Sequence, residues 1–306
     1  MGGIVFGAPY VPPAPPGSVW QALPLTWTGW DGSEWNMSDP DSGLVLLAGA
    51  RGFGMPPMQH WRSQSPAVPG ARWRGAVADS REVFWPVKVW KDTGAQDWVI
   101  RDRAFWRTLD PQKTGTWTVT LPDGSRRSLT LRLKDDGNPV WNLMPTLYGW
   151  AHYGITLTAD DPFWAGDPVQ RSWAPGAGTD FFNGASKAPT FNIASANTLD
   201  TATLSNPGDV DAYLKWTAYG PFTSVTVGVN GSTVVAPITA TAGQVLTIDT
   251  DPSVLAATLD GTDVTSQLTS SEFVPLPPGE DVTLSLAMSG TGYIAASFTP
   301  KYYRAW

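Results

Sequence analysis

Glycine fills 31 and proline 28 of the 306 positions, so a turn-former or helix-breaker arrives about every fifth residue. Inside a helix glycine costs roughly 1 kcal/mol and proline about 3 kcal/mol relative to alanine. A chain punctuated this often cannot sustain long helices and is set up for short strands joined by many turns. Its hydrophobic residues, 42% of the total against 15% charged, suffice to fill a core. The length exceeds the roughly 100–200 residues of one domain, so two domains are expected, each with its own core.

Charge and tryptophan both divide the chain at one place. Residues 1–173 carry 16 Lys and Arg against 16 Asp and Glu, whereas 174–306 carry 4 against 11. Of 17 tryptophans, 15 lie at or before Trp173. The boundary is therefore expected near 165–185, dividing the chain into 1–168 and 169–306. An acidic second half argues against a phosphate-gripping surface there, because nucleic-acid affinity comes chiefly from Lys and Arg.

Along the first half, the Pro-, Gly- and Trp-rich stretch to about residue 40 reads as an extended arm or irregular loop lying on another surface. Leu44 to Leu47 reads as a short strand and Gly49 to Gly70 as a long loop. Arg81 to Lys91 alternates, with Val83, Trp85, Val87 and Val89 on one face. Pro86 has no N–H for a ladder, so that strand is expected at an edge or with a bulge. Asp97 as N-cap, followed by Trp98, Arg101, Phe105 and Leu109, predicts a helix stopped at Asp110-Pro111. Trp117, Val119 and Leu121, then Pro122-Asp123-Gly124, then Leu129, Leu131 and Leu133 predict a β-hairpin. Tyr148 to Thr158 is a further strand. Beyond residue 185 strands are expected at 190–193, 212–219, 225–229, 232–236, 244–249, 256–259, 281–287 and 292–299. Asn230-Gly231 and Asp260-Gly261 supply tight turns, and the spacing points to an antiparallel sandwich.

Chemistry-bearing patterns are sparse. No cysteine occurs, which removes disulfides, thiolate nucleophiles and cysteine-based zinc sites together. His60 and His152 have no metal-ligand spacing. Asp39-Pro40-Asp41-Ser42-Gly43 lacks the later glutamate of a calcium loop and reads as an Asx-type turn. Gly49, Gly52 and Gly54 are followed by neither Lys-Ser/Thr nor a helical pattern, so a plain loop is the better reading than a phosphate-binding turn. No Gly-x-Ser-x-Gly elbow is present. Asp160 and Asp161 are adjacent, so in a strand they would face opposite ways, unlike the paired carboxylates of a glycosidase. The tryptophans fit a core or subunit interfaces, with a sugar platform as the rival. The apolar run Gly43 to Ala50 is far short of the ~20 residues that span a bilayer.

The order of an irregular N-terminal part, one helix and a hairpin, then Ala159-Asp160-Asp161-Pro162-Phe163-Trp164, then Phe182-Asn183-Gly184-Ala185 and an all-β remainder resembles the distal tail proteins of long-tailed siphophages. Leu204-Ser205-Asn206-Pro207-Gly208, Val245-Leu246-Thr247-Ile248-Asp249, Pro275-Leu276-Pro277-Pro278-Gly279-Glu280 and Tyr302-Tyr303-Arg304 extend the likeness through the second half. The Pro-rich first twenty residues and the tryptophan density of 20–106 depart from it. The resemblance implies a mainly β fold, with a tail-tube-like β-sandwich carrying one helix and a β-hairpin, then a galectin-like antiparallel β-sandwich. It further implies a non-enzymatic virion protein of the tail tip, assembled in the bacterial cytoplasm without cofactor, metal or membrane insertion. A hexameric ring would join the tail tube to the tape-measure and baseplate proteins, with a channel through which DNA passes unread. Subunit-interface candidates are Trp27, Trp30, Trp61, Trp73, Trp117, Arg126 and Arg127. The alternative is a carbohydrate-binding module or glycosidase acting on the host envelope.

Overall fold

The computed structural model describes residues 22–139, 143–175 and 199–306. The first part holds β1 (Leu25–Thr28), β2 (Glu34–Asn36), β3 (Leu44–Leu46), β4 (Met58–Ser65), β5 (Val68–Ala78), β6 (Arg81–Trp90), β7 (Gly115–Thr120), β8 (Arg126–Asp135), β9 (Trp150–Ala159) and β10 (Trp164–Ala165). Two helices join them, α1 (Ala95–Arg107) and α2 (Pro145–Tyr148). Seven strands follow the order β2-β1-β7-β8-β9-β6-β3, all antiparallel, and β10 pairs with β8.

Side-chain alternation explains why these segments form strands, because a strand with one face on a core needs an apolar residue at every second position. In β6 the four odd residues Val83 to Val89 are fully buried, while Glu82 is exposed. In the hairpin Trp117, Val119, Leu129 and Leu131 are buried, and the turn is held by the Asp123 carboxylate accepting from the Ser125 N–H and Oγ. Between the faces runs a row of indoles. Trp27 lies 5.1 Å from Trp85, Trp85 lies 5.2 Å from Trp117, and Trp117 lies 5.3 Å from Trp164, all between ring centroids. Each buries on the order of 200 Å², about 5 kcal/mol of transfer free energy as an upper bound.

Four expectations are corrected here. The stretch before residue 40 is no arm from Leu25 onward, since β1 and β2 pair with each other and β1 pairs with β7; residues 1–21 lie outside the described chain. Gly49 to Gly70 is no plain loop, because β4 and β5 form a hairpin spanning Met58–Ala78. Its faces are mostly exposed, so no apolar alternation marks it. The helix starts at Ala95 with Gly94 as its cap, and Asp97 sits in the first turn, favourable to the positive end of the helix dipole, where it accepts from the Thr93 hydroxyl. Finally, β6 is no edge strand, because it lies between β9 and β3. Pro86 is tolerated because its nitrogen faces the β3 side. There Leu47 donates to the Pro86 carbonyl, the chain turns away, and pairing resumes only at Arg51 and Phe84.

The second part begins with β11 (Val169–Trp173) and β12 (Thr203–Leu204) and continues with β13 (Lys215–Tyr219), β14 (Phe222–Val229), β15 (Ser232–Ala236), β16 (Val245–Asp249), β17 (Ala256–Leu259) and β18 (Thr262–Asp263). It closes with β19 (Ser270–Ser271), β20 (Val282–Thr283), β21 (Ala287–Gly290), β22 (Tyr293–Phe298) and β23 (Lys301–Tyr302). A six-stranded sheet β11-β22-β13-β16-β17-β18 and a four-stranded sheet β19-β15-β14-β21 enclose a core of Trp216, Ala218, Val225, Val227, Leu246, Ile248, Ile294 and their neighbours. Asn230-Gly231 closes β14 on β15 and Asp260-Gly261 closes β17 on β18, as their residue types predict. The strand expected at 281–287 is split into β20 and β21. The one expected at 190–193 lies outside the described residues, as does Phe182-Asn183-Gly184-Ala185. β23 leaves this sandwich and pairs with β10 of the first part.

Candidate functional site

The hairpin β4–β5 is the most solvent-facing element of the first part. Its strands pair with each other and with no strand of the larger sheet. Trp61 and Trp73 are 59% and 62% exposed, and Val77 of the same hairpin is exposed as well. The Trp73 Nε1–H points to His60 Nδ1 at 3.4 Å, and Arg74 Nε donates to Ser63 Oγ at 2.9 Å. Residues 58–78 contain Arg62, Arg72 and Arg74 and no acidic residue. Two indoles standing in water among cations on one projecting ribbon are the composition of an interface, where Trp and Arg are enriched and anchor binding.

The other candidate residues are placed differently. Trp27 and Trp117 are buried in the core and present nothing to a neighbour. Trp30 is partly exposed, but its Nε1–H donates to the Arg107 carbonyl at 2.8 Å and Lys113 Nζ lies 3.3 Å from its ring centroid. Arg126 forms an ion pair of 3.1 Å with Asp167. Arg127 donates to the Arg304 carbonyl at 2.8 Å and lies 3.7 Å over the Tyr302 ring, so it tethers the chain's return segment. Trp61 and Trp73 thus share one element and the rest do not join them. A second exposed apolar group, Ile100, Met144, Leu147 and Tyr148 on and beside the two helices, was not legible in the sequence. A four-residue helix is too short to show a period.

A groove of about 700 Å³ lies between Phe163, Tyr213, Lys215, Asp249, Asp251 and Lys301. Asp249 and Asp251 serve the local turn. Asp249 accepts from the Asp251 N–H, and Asp251 accepts from the Ser253 hydroxyl and N–H, which hold its pKa below the usual carboxylate range. Asp160 and Asp161 are spent on ion pairs with Arg132 and Lys301. Among the described residues Asp102 is a carboxyl whose pKa is raised, through burial, and it accepts from the Tyr153 hydroxyl away from this groove. Among the described residues no three His, Cys, Asp or Glu side chains are grouped to hold a metal ion, and no helix is long and apolar enough to cross a membrane.

The chain is mainly β, built of antiparallel sheets, with a helix-bearing first part followed by a sandwich. The fold is that of the distal tail, or Dit, proteins. The crystal structure of the SPP1 Dit (gp 19.1) protein, described as a paradigm of the hub adsorption apparatus in phages infecting Gram-positive bacteria, superposes with a TM-score of 0.62 at 13% identity. That match covers 91% of this chain and 99% of the other. Chains of the phage P2 baseplate in its activated conformation, with calcium and with strontium, each match with a TM-score of 0.50 at 10% identity over 90% of this chain and 98% of theirs. No family model and no curated protein matches the sequence.

Proposed function

We propose that the chain is a structural subunit of a phage tail hub, and that copies close head-to-tail into a ring through the hairpin β4–β5. The observation that carries this reading is the exposure of Trp61 and Trp73 on a ribbon that, among the described residues, pairs with no strand outside itself. A ring closed by rotation needs two different complementary patches on each subunit. The hairpin supplies one. The reading continues to the finer features of the distal tail proteins: six copies, a channel for DNA, the tail tube and tape measure on one side and baseplate or adhesion proteins on the other. Residues 1–168 form the ring and 169–306 the outward mount, in a virion assembled in the host cytoplasm. The role is non-enzymatic, and in the groove beside Lys301 the Asp249 and Asp251 carboxylates are taken up by backbone N–H groups and the Ser253 hydroxyl, which leaves the glycosidase rival without support there.

Light scattering on the purified chain, alone and mixed with tail-tube protein, tests the reading. A ring-sized particle is expected from the native chain. Trp61→Ala with Trp73→Ala should leave a folded monomer, since both side chains stand in solvent. A native chain that stays monomeric in both conditions overturns the proposal.

A further inference from the structure

Arg81 is 2% exposed and its hydrogen-bond acceptors are all neutral carbonyls. Nη1 donates to Gly52 at 2.6 Å and to Gly54, Nε to Pro162 at 2.7 Å, and Nη2 to Tyr303 at 2.7 Å. These carbonyls come from three separate segments. Gly52 and Gly54 lie in the stretch that leads into β4, and Arg81 itself follows β5, so the guanidinium sits at the root of the hairpin. The root is further closed by the Asp79 N–H bonded to the Pro57 carbonyl and by Arg51 paired with Phe84. Gly52 takes φ +119 there, and a Cβ would meet Val83 at 2.7 Å, so only glycine brings this backbone flat onto β6. Burial pushes the Arg81 pKa down to about 10, the sign of a cation that depends on its carbonyls in place of water.

The fourth acceptor belongs to the segment 301–306, which follows β22 of the second sandwich after only Thr299 and Pro300. That segment is seated along the first part by several bonds. β23 pairs with β10, Arg127 holds the Arg304 carbonyl, and the Ala305 N–H donates to the Phe53 carbonyl at 2.9 Å with Ala305 fully buried. The Trp306 ring lies 5.0 Å from Phe53, in the same stretch as Gly52 and Gly54. One buried cation and one phenylalanine therefore serve both the hairpin root and the strap from the second sandwich.

We propose that segment 301–306 and the hairpin root form one coupled device, in which seating of the strap on Arg81 and Phe53 holds the root closed and opening of either loosens the other. The physical reason is that unseating the strap takes one acceptor from a buried charge, and a charged group left short of acceptors is costly. By linkage the effect is reciprocal, so a neighbour bound to the hairpin steadies the second sandwich, and a load on that sandwich weakens the hairpin's hold. The coupling lies within one chain and stands whether or not the ring forms.

Hydrogen exchange on the full chain tests it. Arg127→Ala with Trp306→Ala removes strap contacts and leaves Arg81 and the hairpin unchanged. Exchange at the Ala305 N–H should accelerate roughly tenfold or more, that at the Arg51 and Asp79 N–H groups should follow it, and interior amides of β9 should keep their rates. Deleting residues 301–306 is the second arm, with the same root amides expected to open further. Root amides that keep native rates while Ala305 opens, or that keep them in the deletion, overturn the proposal.

Discussion

Trp27, Trp85 and Trp117 touch one another in the first core, yet their indole nitrogens are treated unequally. Trp27 Nε1–H donates to Thr108 Oγ1 at 2.8 Å, while those of Trp85 and Trp117 have no acceptor among the described residues. Replacing each by phenylalanine removes similar apolar volume, but only Trp27→Phe also breaks a buried hydrogen bond. Trp27→Phe is therefore expected to cost about 1 kcal/mol more than Trp117→Phe in chemical denaturation. Gly115 faces the same ring, and a Cβ there would lie 2.3 Å from Trp27, so Gly115→Ala should cost roughly 1–3 kcal/mol by overpacking. Asp102 sets a pH dependence. Burial raises its folded pKa above 3.8, opposed by the Tyr153 hydrogen bond. A raised carboxyl favours the protonated form, so its contribution is full below 3.8 and is lost as pH rises through the folded value. Denaturation midpoints of Asp102→Asn relative to the native chain should then shift in the variant's favour between about pH 3 and pH 7. A constant difference across that range would remove the account.

At the scale of elements, strands that share the core and strands that do not should differ in stability. β9 is hydrogen-bonded on both sides, to β6 and β8, whereas β4 and β5 have only each other. An isolated two-stranded ribbon is marginal in water. Amides of β4 and β5 are expected to exchange faster than those of β9 in the free chain, and to slow when copies assemble. The exposed ion pairs Arg126–Asp167, Arg132–Asp160 and Lys134–Glu82 lie on the sheet surface, the last reaching from β8 across β9 to β6. Single alanine substitutions there should cost no more than about 1 kcal/mol, because exposed pairs gain little in water.

For the whole molecule, the proposed ring gives charge and aromatic surface different parts in assembly. In the proposed ring, Arg62, Arg72 and Arg74 would steer the hairpin toward acidic surface, and Trp61 and Trp73 would hold it once water is expelled. Steering is screened by salt while aromatic burial is not, since the Debye length falls from about 10 Å at 0.1 M to about 3 Å at 1 M. Raising salt is therefore expected to slow ring formation without abolishing it, read by time-resolved light scattering. Complete dissociation at high salt would show that charge, and not the indoles, holds copies together.

The strand pattern of the second sandwich could be read directly, with 232–236 and 256–259 matching β15 and β17 residue for residue. Alternation and tight-turn residues act over a few positions, so neighbours in sequence carry the information. The same locality exposed β6 and the β7–β8 hairpin, and the order of short motifs sufficed for the resemblance to distal tail proteins. Four tryptophans that look equivalent in sequence were nevertheless divided by packing, Trp27 and Trp117 to the core and Trp61 and Trp73 to solvent. Burial depends on which surfaces meet, and an exposed ribbon such as β4–β5 leaves no apolar period to betray it. Arg81 is the extreme case: it gives no local signal, because one of its acceptors lies 222 residues away and exists only when the return segment is in place.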